Sequence, residues 1–109
     1  MIYRERPIDE IWADLQLNVP AHTTNLSEHP DTSLIFYEEC GEVYFQEAKL
    51  LAGNRNVTDA KGQRLDDIAF WRWKHRLRTL ETDIRIRLAH VRAEMARRGM
   101  ASNLVNGRP

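Results

Sequence analysis

The chain has one cysteine, Cys40, in 109 residues. An internal disulfide framework is therefore excluded. No long apolar run occurs, so neither a signal peptide nor a membrane span is expected, and the expected setting is cytoplasmic. The formal net charge is zero, which argues against a strong polyanion binder. Glycine-rich phosphate loops, a nucleophile elbow and zinc-type spacings are all lacking. The four histidines, His22, His29, His75 and His90, pair neither with one another nor with Cys40 at metal-ligand spacing. They read as structural or surface residues, and no metal or cofactor is expected.

The residues present are those of an ordinary globular chain, 42% hydrophobic and 29% charged, and the length suits one domain over 1–99. Charge is unevenly placed. Residues 1–52 carry three basic and ten acidic side chains, whereas residues 53–109 carry thirteen basic and six acidic. Either the basic half meets an outside polyanion, or the two halves neutralise each other inside one fold.

Apolar periodicity predicts an all-α chain: an antiparallel helical hairpin with a long C-terminal helix and a short N-terminal helix. The first helix is expected over about 7–17, with Pro7 at its first position and Ile8, Ile11, Trp12 and Leu15 as its stripe. Residues 18–31 have a loop composition and are expected to wrap across a surface or to be partly mobile. The second helix is expected over about 32–52, with a coiled-coil-like seam of Leu34, Tyr37, Gly41, Tyr44, Ala48 and Leu51. In that seam Gly41 and Ala48 are small enough to admit a close helix. The third is expected over about 63–98, with Gly99 as its C-terminal stop. Its stripe is Trp73, Leu77, Leu80, Ile84, Leu88, Val91 and Met95. Residues 100–109 read as a flexible tail.

Length sets a further expectation. A helix of about 35 residues spans roughly 50 Å, against roughly 30 Å for one of about 20. If the hairpin closes directly, the second helix covers the third only to about Asp83. Ile84, Leu88, Val91 and Met95 are then bare, and such rows need a cover. The first helix could supply it by reaching back across the long loop. A second copy of the chain could do the same, and the favoured expectation is a homodimer contact through these four residues.

The stretch "FWRWKHRLR", residues 70–78, interleaves aromatic rings with positive charge. On a helix the interleaving separates into faces, with the rings mostly in the core and the charges mostly in water. The basic side chains Arg72, Arg76, Arg78, Arg85 and Arg87 nevertheless form a row that could meet a partner or the phosphates of a nucleic acid.

The run "EECGEV", residues 38–43, resembles the Glu-Glu-x-x-Glu signature of the MazG-like nucleotide pyrophosphohydrolases, in which helix-borne carboxylates hold Mg²⁺. That resemblance implies a Mg²⁺-dependent nucleotide hydrolase with Glu38, Glu39 and Glu42 at the metal. It covers half of the family's motif, since no Glu-x-x-Asp follows on the next helix. Otherwise the three carboxylates are an acidic contact for a partner. The Trp-x-Trp and long Arg-rich helix of Phe70–Met95 resemble small helical bacteriophage proteins from high-GC hosts. This likeness implies an inhibitor or assembly component that works by protein–protein contact. Such a non-enzymatic contact is the leading expectation, with nucleic-acid binding by the basic face and Mg²⁺-dependent hydrolysis as the alternatives.

Overall fold

A computed structural model describes residues 3–54 and 56–100. Among them the chain forms three helices and no strand: α1 (Ile8–Asn18), α2 (Asp31–Ala52) and α3 (Asp67–Arg97). The expected all-α architecture, with a short first and a long last helix, is what the chain adopts. Most of the expected tail lies outside the described residues.

The helix ends follow local chemistry. Pro7 and Pro30 sit one residue ahead of α1 and α2 in extended conformation, and neither helix has a side-chain cap. Asp9 and Glu10 in the first turn of α1, and Asp31 in that of α2, lie instead at the positive end of each dipole. α3 begins at Asp67, three to four residues later than its periodicity suggests. The Asp66 carboxylate accepts a hydrogen bond from the Ala69 amide at 2.8 Å and so sets that start. Upstream, Asp59 accepts from the amides of Lys61 and Gln63, and Gly62 takes a positive φ of 77°. Residues 59–63 are thereby held in a turn. At the other end Gly99, with φ 74°, closes a Schellman motif: its amide donates to Ala96 and that of Met100 donates to Met95.

α2 and α3 are antiparallel. Arg98 pairs with Asp31 at one end, and the Lys74 ammonium donates to the Ala52 carbonyl at the other. Midway, an added Cβ on Gly41 would sit 2.6 Å from a methyl of Leu88, so the helices approach closely at this glycine. α1 lies against both. Asp9 meets Arg76, Gln16 meets Arg87 and Asn18 donates to the Tyr44 hydroxyl.

This register corrects the expected bare row. Ile84, Leu88, Val91 and Met95 are all buried within one chain. The reason is the length of the 53–66 connection. It slides α2 along α3, so that the start of α2 reaches the end of α3 rather than its middle. Ile84 and Leu88 join one core cluster with Ile8, Ile11 and Leu15 of α1 and with Tyr44 and Ala48 of α2. Val91 and Met95 join a second with Leu34 and with Leu26 of the 19–30 loop. That loop is fixed by α3: His90 hydrogen-bonds the Thr24 carbonyl, and Arg98 donates to the carbonyls of Leu26 and Ser27. Hence the cover comes from α1, α2 and the loop, and the homodimer expected at these four residues loses its premise.

Candidate functional site

Sliding α2 toward the end of α3 leaves the start of α3 overhanging. Ile68 is 67% exposed and Trp71 is 63% exposed. They begin a row on the outer side of α3, which α1 borders at Trp12 near the middle of the row. The row continues through His75, Thr79, Thr82 and Ile86, all exposed. The steps are 3, 4, 4, 3 and 4 residues, which keep the side chains in line along a straight helix. Ala89, Ala93 and Ala96 extend it as small exposed residues. Over Ile68–Ile86 the row is about 27 Å long at 1.5 Å per residue. Shallow grooves follow it, one lined by Ile68, Trp71 and His75, another by Trp12, His75, Thr79 and Ile86. Trp12 of α1 thus forms part of one wall.

Arginines rim this row. Arg72 and Arg76 lie on one flank, and Arg78 and Arg85 on the other, by helical spacing. All four are exposed. Arg76 is paired with Asp9, and the Arg85 guanidinium lies 5.4 Å from the centre of the Phe45 ring. Arg72 and Arg78 have no ion-pair partner among the described residues. Arg87, the fifth member of the expected basic row, is elsewhere. It is buried and donates to the Val19 carbonyl at 2.6 Å, to Gln16 and to Asp83. Its guanidinium fastens the end of α1 to α3 and is not presented to a ligand.

The acidic cluster divides in a similar way. Glu38 is 1% exposed and accepts from the Arg92 Nε at 2.9 Å, and Glu42 lies 3.4 Å from an Nη of the same residue. Arg92 therefore occupies the space between two of the three carboxylates. Glu39 points elsewhere, half-exposed. The side of α3 facing this part of α2 offers Leu88 and Arg92 rather than a second acidic pair. These residues do not fit the Mg²⁺ site that the resemblance implies. Among the described residues no group of three or more metal-binding side chains is placed to hold an ion.

No family model, curated protein or solved structure matches this chain. The physical arrangement alone therefore has to carry a reading of function.

The remaining polar features serve the fold. Burial works against the Arg6 guanidinium, but hydrogen bonds to Asp14 and Glu47 outweigh it and hold its charge on. Glu47 is itself buried and receives the Arg6 Nη2 at 2.6 Å, which straps the start of the chain to α2. Burial pushes the Cys40 thiol up, away from the reactive thiolate. A cleft of about 530 Å³ between the end of α2 and the start of α3 is lined by Arg64, Lys74 and Asp67 among others. Its cations are partly offset by Asp67, and the Lys74 ammonium is bound to Ala52. No described helix is long and apolar enough to cross a membrane.

The outer row was missed by sequence reasoning, which placed the rings of residues 70–78 mostly in the core and the charges mostly in water. The signal was present. Ile68, Trp71 and Ile86 fall on one side of α3 by spacing, about half a turn from the longer stripe that contains Leu77, Leu80 and Ile84.

Proposed function

We propose that this chain acts without catalysis, by holding another protein against the outer face of α3. One observation carries the reading: Ile68 and Trp71 are mostly exposed at the head of a 27 Å row that no other part of the described chain covers. An aromatic anchor within an arginine rim is the composition favoured at the energetic centres of protein interfaces. The likeness of the Arg-rich helix to small bacteriophage proteins agrees with a role in inhibition or assembly. Any homodimer would have to use this face or another exposed one, because Ile84, Leu88, Val91 and Met95 are spent inside the chain.

Affinity capture with the native chain and with an Ile68→Ser/Trp71→Ser variant tests the reading. Both side chains are mostly in water, so the variant should keep its helix content. A protein retained by the native chain and lost with the variant is the expected result. Equal capture by the two chains would refute the assignment of this face.

Nucleic-acid binding is the second reading, and the unpaired Arg72 and Arg78 beside the exposed Trp71 ring favour it. Titration of labelled single-stranded DNA and RNA at rising salt tests it, since phosphate contacts weaken steeply as salt is added. Absence of binding at low salt rules this reading out.

A further inference from the structure

We infer that the occupant of the α3 outer face is an acidic amphipathic helix of a different protein. This inference rests on the protein-contact reading above and names the chemistry of the partner.

Shape is the first ground. Ile68, Trp71, His75, Thr79, Thr82 and Ile86 form a single straight line rather than a broad patch, and none is an Asp, Glu, Lys or Arg. A line of this kind fits the apolar stripe of one opposing helix, whose own anchors recur every three or four residues. The length of the line calls for about five turns of partner. A sheet edge would seek unpaired backbone groups, and a helix face offers none.

Charge is the second ground. The four exposed arginines of the rim lie on both flanks of the line. Of the acids nearby, Asp9 is engaged with Arg76 and Asp83 with Arg87, while Asp67 and Glu81 share the flank of Lys74, Arg78 and Arg85, where the cations outnumber them. What faces outward on either side is net positive. A partner helix with Glu or Asp beside its apolar stripe would meet Arg72 and Arg78 without displacing an existing pair.

The same charges disfavour a second copy of this chain. In a two-fold antiparallel pairing centred near residues 79–82, the flank bearing Arg78 and Arg85 meets itself. Arg78 of one copy then lies near Arg85 of the other, and the reverse holds at the symmetric position. In a parallel pairing that flank meets the one bearing Arg72 and Arg76. Both arrangements set arginine against arginine, which specific helix pairs avoid at their flanking positions.

The test is a selection on the full chain. A display library presents helical peptides of about 20 residues on one frame, long enough for the face. The stripe positions are apolar, and the positions beside the stripe are randomised among Glu, Lys, Gln and Ser. We expect recovered peptides to carry Glu beside the stripe. Their affinity should fall as salt is raised, and Trp71→Ala should weaken them by more than about tenfold. Recovered peptides that depend on Trp71 but show no acidic bias would overturn the acidic partner and leave the docking face standing. Failure to recover any peptide that depends on Trp71 would overturn both. Two further measurements can also remove the inference. One is sedimentation showing a dimer that Trp71→Glu dissolves, which would make the occupant a second copy. The other is a blue shift of tryptophan emission with phosphatidylglycerol vesicles that is absent in Trp71→Ala, which would make it a lipid surface.

Discussion

Replacing Gly41 by alanine should weaken the fold in the native chain and strengthen it once Leu88 has been trimmed. Gly41 lies in the middle of α2, where alanine would ordinarily stabilise the helix by about 1 kcal/mol. An alanine Cβ, however, would sit 2.6 Å from one methyl of Leu88 and 2.8 Å from its Cγ. Leu88 is buried in the main core cluster, so it cannot swing into water to make room. Overpacking of this kind costs about 1–3 kcal/mol. The net effect of Gly41→Ala is then a loss of about 0–2 kcal/mol, or a fall of several degrees in Tm at roughly 5 °C per kcal/mol. Leu88→Ala alone should cost about 2–5 kcal/mol through lost burial and a cavity. In that background the clash is gone, and Gly41→Ala should recover about 1 kcal/mol from propensity alone. Urea unfolding of the four chains gives the coupling directly, expected at about 1–3 kcal/mol. A Gly41→Ala chain that is more stable than native by the full propensity gain would refute the close approach of α2 and α3, and with it the register on which the exposed face of α3 depends.

Three other outcomes follow from the polar contacts. Arg6→Met strands the buried Glu47 carboxylate and should cost about 3–5 kcal/mol in urea unfolding, much of it recovered in an Arg6→Met/Glu47→Leu chain; a loss below about 1 kcal/mol would show that the strap is not structural. Hydrogen bonds from Arg97 and then Arg98 lower the Glu94 carboxyl from 4.5 to about 2. A depressed carboxyl stabilises the fold above its unfolded value, so this contribution should be intact at neutral pH and be lost as pH falls from 4.5 toward 2; a carboxyl resonance of Glu94 that titrates near 4.5 in the folded chain would contradict it. The Cys40 thiol, raised by burial, should react with iodoacetamide at pH 8 more slowly than a free cysteine peptide, and an equal or faster rate would place it in water.

Much of the fold was legible because each helix writes its buried stripe at its own period. Leu77, Leu80, Ile84, Leu88, Val91 and Met95 fall on one face by spacing, and all six are buried. Gly41 and Ala48, read as places of close approach, are buried in α2. Register was less legible. Pairing of helices is set by what the connection between them does. The 53–66 segment carries no strong apolar period, only the Asp59 turn and the Asp66 cap that hold it outside α3. Treating α3 as starting at Gln63 lengthened it at the hairpin end and shifted the bare residues to the wrong end. The 19–30 loop lies across α3, as one of its two expected courses has it, but its part in the core was not legible. Val19 and Leu26 are isolated apolar residues in a polar stretch, and only tertiary contact shows that they seal the core.

The charge asymmetry shows how an exposed site can hide in composition. Part of the opposition between the acidic and basic halves is resolved internally, through Arg76 with Asp9, Arg92 with Glu38 and Glu42, and Arg98 with Asp31. A zero net charge therefore combines pairs made within the fold with a remainder that has no ion-pair partner among the described residues. On α3 that remainder is concentrated at Arg72 and Arg78, beside Trp71. Total charge cannot report such a remainder, because exposed acids such as Glu28 cancel it numerically from distant positions. What distinguishes Arg72 and Arg78 from Arg87 or Arg92 is position around the helix. The latter two point toward α1 and α2, where acceptors are supplied, and the former two border a direction, the outer face of α3, in which no described acid is paired with them. A binding role for this protein depends on that direction being filled by something else.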